Sequence, residues 1–303
     1  MTLAPPPVTT AARLRTYASF VRFEHTLFSL PLLVAGIFST AGPAIPTLRW
    51  ALIALAAVGA RTAAMALNRL IDRRLDALNP RTRGRELPAG KMGLGEAWAL
   101  LAASGILYLA ACAALGPWYL AVAPIPLAVF VLYPYLKRVT PLCHFGVGLG
   151  LAFAPVAGFA AAHPGLERPW VALWLALFMF LWVSGFDIIY ATLDEAFDRE
   201  QGVRSMVAWL GRERALSVSS VLHRVAHFAL LGAGIAIMRE AGAPSWSVGE
   251  AAMAGMWLVV GVLLFLEQRW AENVNLAFFK VNVWVGFAVL AMVLVARAAT
   301  GGF

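Results

Sequence analysis

The chain has 303 residues, of which 61% are hydrophobic and only 13% are charged. Soluble globular domains carry about 25% charged residues, so the composition excludes an ordinary soluble domain and indicates a membrane protein. The formal net charge of +8 calls for an anionic surface or ligand, and lipid headgroups and phosphate esters are the two candidates. We expect no nucleic-acid partner, because the chain has no polar domain that could carry a binding face.

Nine stretches of the chain are apolar over a window of about 19 residues, and each predicts a membrane-spanning helix. Their ranges are 18–38, 47–68, 95–115, 118–136, 143–162, 170–192, 215–238, 248–267 and 276–298. An odd number of spans places the two termini on opposite faces of the membrane. The sequence therefore predicts an all-α membrane protein with a single transmembrane domain over residues 1–303, in which residues 1–17 form a short N-terminal tail.

The basic residues predict how these helices are oriented. All but four of the 24 Lys and Arg residues are assigned to the side that holds the tail and the 69–94 and 193–214 connections. By the positive-inside rule this side is cytoplasmic, so we expect a multi-pass protein of the cell (inner) membrane with a cytoplasmic N-terminus. Because these two connections are also the longest and most polar, the functional site is expected there.

All five aspartates fall in two short clusters where predicted spans end. The clusters are Asn68, Asp72 and Asp76 at the end of the second span and Asp187, Asp194 and Asp198 at the end of the sixth. Side chains four residues apart share one face of an α-helix. Four crossings of the membrane separate the clusters, so both are predicted to open on the same side.

The residue types in these clusters predict a metal site. Ionisable groups at the edge of the hydrocarbon are costly and by default mark a functional site. Oxygen ligands without His or Cys suit Mg²⁺, which takes one or two carboxylates and completes its shell with water and phosphate oxygens. Two facing clusters would hold two metal ions with a diphosphate between them. The other interpretation, that the acids only neutralise arginines in a solvated loop, leaves the matched spacing unexplained.

Basic residues on the same side support a phosphate ligand. Guanidinium groups bind phosphate in a bidentate manner, and a lysine acts on it as a point charge. The candidates are Arg81, Arg83, Arg85, Lys137, Arg138 and Arg204. Each alone is typical of a positive-inside anchor, but together they lie on the side that holds every aspartate.

These motifs resemble the UbiA superfamily of intramembrane aromatic prenyltransferases. The matching residues are Asn68-x3-Asp72-x3-Asp76, Arg81-Thr82-x2-Arg85, Leu87-Pro88-Ala89-Gly90, Tyr133-Pro134-x2-Lys137-Arg138, Asp187-x2-Tyr190-x3-Asp194-x3-Asp198 and Arg22. The resemblance covers about residues 20–298. It implies a nine-helix ring around a central cavity, with Mg²⁺ and a polyprenyl diphosphate at the cytoplasmic mouth.

The resemblance also implies a role for each motif residue. Asn68, Asp72 and Asp76 would serve one metal ion, and Asp187 with Asp194 would serve the other. The diphosphate would be held by Arg22, Arg81, Arg85, Tyr133 and Lys137, and we add Arg204 to this set.

The expected reaction transfers the polyprenyl group to the ring of an aromatic acid such as 4-hydroxybenzoate, in the biosynthesis of a quinone such as ubiquinone. Tyr190 and Phe186 are candidates to stabilise an allylic cation through their ring faces. Asp194 or Asp198 would remove the ring proton or order the hydroxyl of the acceptor. Arg138 is the candidate for the acceptor carboxylate.

Two alternatives stay open. Arg69 occupies a position where the family usually carries an acidic or amide residue, and this variant resembles a bacterial branch in which some members act on naphthoates. The same chemistry on a dihydroxynaphthoate, for menaquinone synthesis, is therefore the second candidate. A cation or phosphate transporter is the candidate from another class, although transporters place their sites near the midplane on broken helices, whereas these acids lie at span ends.

Other residues carry structural predictions only. Cys112 and Cys143 lie in apolar stretches without metal-ligand spacing, so both are expected to be small buried side chains. Gly146, Gly148 and Gly150 are expected to permit close helix packing or passage of the prenyl chain.

Overall fold

The computed structural model describes residues 10–22, 26–42, 44–242, 247–271 and 277–301. Regular secondary structure in these ranges is entirely helical, which confirms the predicted all-α class. The helices are α1 (Thr10–Phe20), α2 (Thr26–Ile37), α3 (Thr47–Leu78), α4 (Leu94–Leu115), α5 (Pro117–Val122), α6 (Pro124–Val139), α7 (Cys143–Ala162), α8 (Trp170–Ala191), α9 (Glu195–Glu200), α10 (Met206–Leu210), α11 (Arg212–Glu240), α12 (Val248–Arg269) and α13 (Ala277–Ala299).

Eight candidate spans are found among the described residues. They are α3, α4, the consecutive helices α5 and α6 taken together, α7, α8, α11, α12 and residues Lys280–Ala299 of α13. Each is long and apolar enough to cross a bilayer, so the chain is a multi-pass membrane protein. The predicted count of nine is not confirmed, because the first predicted span, 18–38, falls on two shorter helices, α1 and α2, and residues 23–25 lie outside the described ranges.

The buried core lies mainly in the second half of the bundle. Helix α8 packs against α7 and α11, α12 packs against α13, and α2 fits between α7 and α13. Phe178 and Trp182 of α8 are fully buried in this core. Helix α3 contacts both α4 and α6, and these helices reach the rest of the bundle mainly through the contact of α6 with α7. The two acidic clusters meet where α3 and α6 face α7 and α8.

Glycines bring α7 close to its neighbours at this junction. A Cβ atom on Gly148 would overlap Ser184 Oγ and lie 2.5 Å from the Phe180 carbonyl oxygen, and one on Gly146 would lie 2.6 Å from Leu136 Cδ1. At Gly150 a Cβ would meet its nearest atom at an ordinary 3.7 Å. The prediction of close packing is therefore confirmed for Gly146 and Gly148, since small residues allow helices to approach closely in a membrane.

Candidate functional site

A cavity of about 210 Å³ lies between the ends of α3, α6, α7 and α8 and the segment that follows α8. Most of the predicted site residues line it. These are Asn68, Asp72, Asp76, Arg81, Arg85, Tyr133, Lys137, Asp187, Tyr190, Asp194 and Asp198. The structure thus brings both acidic clusters and the main candidate cations to a single cavity.

Helix α3 carries the first acidic cluster because it continues to Leu78, ten residues beyond the predicted end of the span. Asn68 Nδ2 donates to Asp72 Oδ2 at 3.2 Å, as expected for residues one turn apart on the same face. The helix ends at Asn79, whose side chain accepts a hydrogen bond from the Arg81 backbone at 2.9 Å. This turn directs the 79–85 segment back over the cavity.

The carboxylates of the first cluster are buried and paired with cations. Asp72 is 2% exposed and accepts Lys137 Nζ at 2.5 Å and Arg138 Nη2 at 3.3 Å. Asp76 is 6% exposed and accepts Arg85 Nη1 at 2.6 Å. Buried carboxylates of this kind are stable only when paired and hydrogen-bonded. The cluster is therefore neutralised by side chains from α6 and from the segment after α3.

The second cluster is divided between a helix and the loop that follows it. Asp187, on α8, accepts a hydrogen bond from His144 at 2.6 Å. Asp194 receives a bidentate pair from Arg81, through Nε at 2.8 Å and through Nη2, and a third bond from Asn79 Nδ2 at 2.8 Å. Arg81 Nη1 also donates to the Tyr190 hydroxyl at 2.8 Å. The Arg81 guanidinium therefore links the two motifs directly.

Asp194 and Asp198, which lie outside the spanning helices, differ in their electrostatics. Burial acts to raise the pKa of the Asp194 carboxyl group, but the hydrogen bonds from Arg81 and Asn79 outweigh it and lower the pKa. Asp198 is 7% exposed, and burial raises its pKa to about 6 in spite of a hydrogen bond from Ser205. Asp194 is thus held as a carboxylate, whereas Asp198 titrates close to neutral pH.

Five predicted residues lie outside the cavity lining, namely Arg22, Arg83, Arg138, Phe186 and Arg204. Arg22 follows α1 with a φ of 49°. Arg138 donates to the Pro134 carbonyl at 2.9 Å and reaches the site only through its bond to Asp72. Arg204 directs its guanidinium to the Val139 carbonyl at 2.7 Å. Arg204 thus ties the segment after α8 to the end of α6.

Several lining residues were given no role at the site by the sequence interpretation. They are Asn79, Thr82, Cys143, His144, Phe197 and Ser205. Cys112 is buried as predicted, but Cys143 is only partly buried and lines the cavity, so the prediction of a buried side chain was wrong for it. The reason is its position as the first residue of α7, where the helix end meets the loop after α8.

Arg61 is a further residue that sequence interpretation missed. It lies in α3 eleven residues before Asp72, about 16 Å deeper along the helix axis, and its Nε atom is buried without a hydrogen-bond partner. Its charge is in electrostatic range of the Tyr133 side chain. An arginine inside a span is a functional candidate by default, but counting it with the cytoplasmic charges concealed this signal.

The oxygen-rich lining fits Mg²⁺, although no three His, Cys, Asp or Glu side chains in the described ranges lie together as a ready-made metal site. Mg²⁺ is usually bound through one or two carboxylates, with water and substrate phosphates completing its octahedron. Asp72 on α3 and Asp187 on α8 provide such carboxylates in the lining of the cavity. The cations beside the acids provide partners for an anionic substrate.

A helical bundle with a charged cavity at the ends of its spans defines an integral membrane protein that acts on a charged group near the membrane surface. Comparison with known proteins identifies the family. The model of the UbiA prenyltransferase family matches residues 29–284, and the chain belongs to this family. It is an enzyme of the prenyltransferase class, as the resemblance implied.

Curated relatives align over nearly the whole chain. The 4-hydroxybenzoate octaprenyltransferase of Cupriavidus necator is 31% identical over 296 residues, which cover 94% of this chain and 98% of the relative. The protein of the same name from Nitrosomonas europaea is 30% identical over 297 residues, with 95% and 96% covered.

Solved structures agree with the fold. A UbiA homolog from Aeropyrum pernix, solved in the apo state, is 33% identical with a TM-score of 0.75, and the alignment covers 90% of this chain and 98% of the homolog. A UbiA homolog from Archaeoglobus fulgidus, bound to GPP and Mg²⁺, is 18% identical with a TM-score of 0.72 and covers 94% and 99%. The second likeness establishes the shared fold alone.

Proposed function

We propose that the protein catalyses Mg²⁺-dependent transfer of a polyprenyl group from polyprenyl diphosphate to the ring of 4-hydroxybenzoate, in quinone biosynthesis. The observation that carries this proposal is the cavity on which two acidic clusters and Arg81, Arg85 and Lys137 converge. The names of the curated relatives support the acceptor, and the ligands named for the Archaeoglobus fulgidus homolog support the diphosphate and the metal. The site would lie on the cytoplasmic side of the inner membrane, as the positive-inside rule predicts.

The proposed binding event exchanges one set of ion pairs for another. In the structure Lys137 is paired with Asp72, and Arg85 with Asp76. A bound magnesium diphosphate would supply a cation for the two carboxylates and an anion for Lys137 and Arg85. The carboxylates can therefore turn to the metal and the cations to the phosphate oxygens. No buried charge is then left without a partner, which is the condition for such a site to be stable.

The residues divide into those that would hold the metal and those that would hold the diphosphate. Bound Mg²⁺ would act as a Lewis acid that stabilises the diphosphate leaving group. Asn68, Asp72 and Asp76 would hold one ion, and Asp187 and Asp194 the other. Arg81, Arg85, Tyr133 and Lys137 line the same cavity and would orient the leaving group. Arg22 and Arg204 would act from outside the lining.

Apolar side chains of the cavity would protect the allylic cation that forms as the diphosphate leaves. Leu75, Val147 and Phe197 line the cavity beside the charges, and an apolar wall limits capture of the cation by water. Tyr190 would stabilise the cation with its ring face. In the structure this face is covered by the Arg81 guanidinium at 4.8 Å, so Arg81 would have to turn to the diphosphate first.

Acceptor binding and proton removal would use residues that have no strong ion pair. Arg138 is one candidate for the acceptor carboxylate, but it already contacts Asp72, the Pro134 carbonyl and the ring of Tyr135. Arg61 is the second candidate, favoured by its buried and unpartnered Nε. Asp198 would remove the ring proton, since a carboxyl group with a pKa of about 6 is a stronger base than the arginine-bound Asp194.

An acceptor panel tests this proposal. Purified protein in lipid nanodiscs is given labelled polyprenyl diphosphate with 4-hydroxybenzoate, with a dihydroxynaphthoate or with no acceptor, in Mg²⁺ or in EDTA. We expect prenylated 4-hydroxybenzoate and free diphosphate in Mg²⁺ only. Product from the dihydroxynaphthoate alone would move the enzyme to menaquinone synthesis. If neither acceptor leads to release of diphosphate, the proposed transfer reaction is contradicted. Cation or phosphate transport would then be tested in liposomes.

A further inference from the structure

His144 is buried at the edge of the site and uses both ring nitrogens. It is the second residue of α7 and 3% exposed. Its Nδ1 lies 2.6 Å from Asp187 Oδ2, and its Nε2 accepts a hydrogen bond from the Met206 backbone N–H at 3.2 Å. The ring therefore connects a carboxylate on α8 to the first residue of α10.

The second of these contacts determines which nitrogen carries the proton. A backbone N–H can only donate, so the Nε2 atom that accepts from Met206 bears no hydrogen. The proton must then be on Nδ1, from which it is donated to Asp187. The two contacts thus give the ring nitrogens fixed roles, with Nδ1 as the donor to Asp187 and Nε2 as the acceptor, in the manner of histidines whose second nitrogen is fixed by a neighbouring group.

Asp187 differs from the other acids expected at the metal in the kind of partner it has. Asp72, Asp76 and Asp194 each have an ion pair with Lys or Arg. Asp187 is instead paired with the imidazole of His144, and no hydrogen bond from the described residues reaches its Oδ1. Its side chain is 28% exposed and lines the cavity. One oxygen is therefore held while the other remains available to a ligand in the cavity.

The imidazole is placed by close helix packing and by a docked loop. Gly148, one turn after His144, allows α7 to approach Ser184, which precedes Asp187 by three residues on α8. The loop is fixed to α6 by the Arg204 backbone N–H, which donates to the Lys137 carbonyl at 2.7 Å. Cys143 Sγ donates to the Arg204 carbonyl at 3.4 Å. These contacts present the Met206 N–H to Nε2 and so set the angle of the ring.

We propose that His144 is a positioning residue, which aims Asp187 at the metal ion and couples the metal site to docking of the 204–206 segment. The inference rests on the proposed function, because it assigns Asp187 to the metal. Partners of metal-binding carboxylates orient the ligand and tune its basicity, and their loss typically weakens metal affinity about 10- to 100-fold.

Metal binding measured apart from catalysis tests the proposal. Mn²⁺ is titrated into purified protein in nanodiscs, and free Mn²⁺ is measured by electron paramagnetic resonance for wild type, His144→Leu and His144→Asn. We expect His144→Leu to bind Mn²⁺ about 10- to 100-fold more weakly. The amide nitrogen of Asn can take the place of Nδ1, so His144→Asn should recover most of the affinity. His163→Leu is the matched control, because His163 follows the other end of α7 and its ring hydrogen-bonds the Ile37 carbonyl, away from the acidic clusters.

A double-mutant cycle keeps the test decisive if the Leu variant is less stable. In an Asp187→Asn background the His144→Leu change should weaken Mn²⁺ binding no further, since the two residues act through one contact. Equal Mn²⁺ affinity in wild type and His144→Leu, or additive losses in the cycle, would overturn the positioning role.

Kinetics separate this outcome from failure of the proposed function. In His144→Leu the Mg²⁺ concentration for half-maximal prenyl transfer should rise by the same factor, and the rate should recover at saturating Mg²⁺. If the wild-type enzyme makes product and His144→Leu binds Mn²⁺ as tightly as wild type, only the positioning role is refuted. A wild type without product in any arm of the acceptor panel refutes both.

Discussion

The two acidic clusters face the same cavity but are neutralised in different ways. The α3 cluster is part of one continuous helix, and its buried Asp72 and Asp76 are paired with Lys137, Arg138 and Arg85. The second cluster is divided between α8 and a loop, and its three acids have three kinds of partner: the imidazole of His144, the guanidinium of Arg81 and the Ser205 hydroxyl. The first is a set of ion pairs on a rigid helix, whereas the second is a set of individually tuned carboxyl groups.

This difference assigns the clusters different tasks in the proposed reaction. Ion pairs that a magnesium diphosphate can replace as a unit suit the binding of the charged substrate. Carboxyl groups with separate environments suit separate tasks, because their protonation states can be set one by one. The predictions below test whether substitutions in the two clusters differ in this way.

The largest effect is expected at Asp72. Asp72→Ala removes a proposed metal ligand and leaves Lys137 and Arg138 without their carboxylate, so prenyl transfer should fall about 1000-fold or more. The rate of product formation at saturating Mg²⁺ measures this. Glu195→Ala is the control, since Glu195 is also an acid at this end of the bundle but pairs with Arg199 one turn later and does not line the cavity. A rate near that of wild type would remove Asp72 from the metal site.

A smaller loss is expected at Arg81. Arg81→Lys keeps the charge, but a lysine cannot make the bidentate bond to Asp194 and reach the Tyr190 hydroxyl at the same time. We expect kcat/KM for the polyprenyl diphosphate to fall about 100-fold, the usual effect of losing one oriented charged donor. Arg83→Lys on the same loop should leave it unchanged, because Arg83 is exposed and does not line the cavity. Equal effects of both changes would show that charge alone matters at Arg81.

Much of the fold follows from local sequence. The predicted spans 143–162 and 248–267 end within two residues of α7 and α12, because apolar length alone defines them. The predicted apolar span 47–68 ends ten residues before α3 does, because hydropathy falls at Asn68 while the helix continues, with its charged face turned to the cavity, as the four-residue spacing of the acids predicts. The first predicted span is divided between α1 and α2, a break that composition does not indicate.

The site was less accessible to sequence interpretation. Helical spacing identified the acids, because side chains four residues apart must share a face. Their partners could not be assigned, since Lys137 meets Asp72 across 65 positions of the chain. His144 belongs to no motif, and only the packing of α7 on α8 places it beside Asp187.

The acceptor carboxylate provides the next test. If Arg61 binds it, Arg61→Gln should raise KM for 4-hydroxybenzoate roughly tenfold to 100-fold, the value of a hydrogen bond to a charged group, with KM for the diphosphate unchanged. Arg138→Gln is the paired variant, and its effect should fall on the diphosphate side because Arg138 contacts Asp72. Steady-state kinetics with each substrate varied in turn measure both constants. The reverse pattern would assign the carboxylate to Arg138.

The smallest expected effect is on the stability of the fold. It concerns Asp198, the acid of the second cluster whose pKa is raised mainly by burial. Its pKa is raised from 3.8 to about 6, so the folded state favours the neutral acid, and this contribution to stability is lost as the pH rises through 6. One pKa unit corresponds to about 1.4 kcal/mol, so ionisation costs the folded state about 3 kcal/mol. Asp198→Asn removes this cost. In EDTA the apparent Tm of Asp198→Asn, relative to that of wild type, should therefore rise by several degrees between pH 4 and pH 7, about 2–4 °C for each kcal/mol. Above pH 7 the difference between the two Tm values should level off. Parallel Tm curves for the two proteins across this range would show that Asp198 does not titrate in the folded protein between pH 4 and 7.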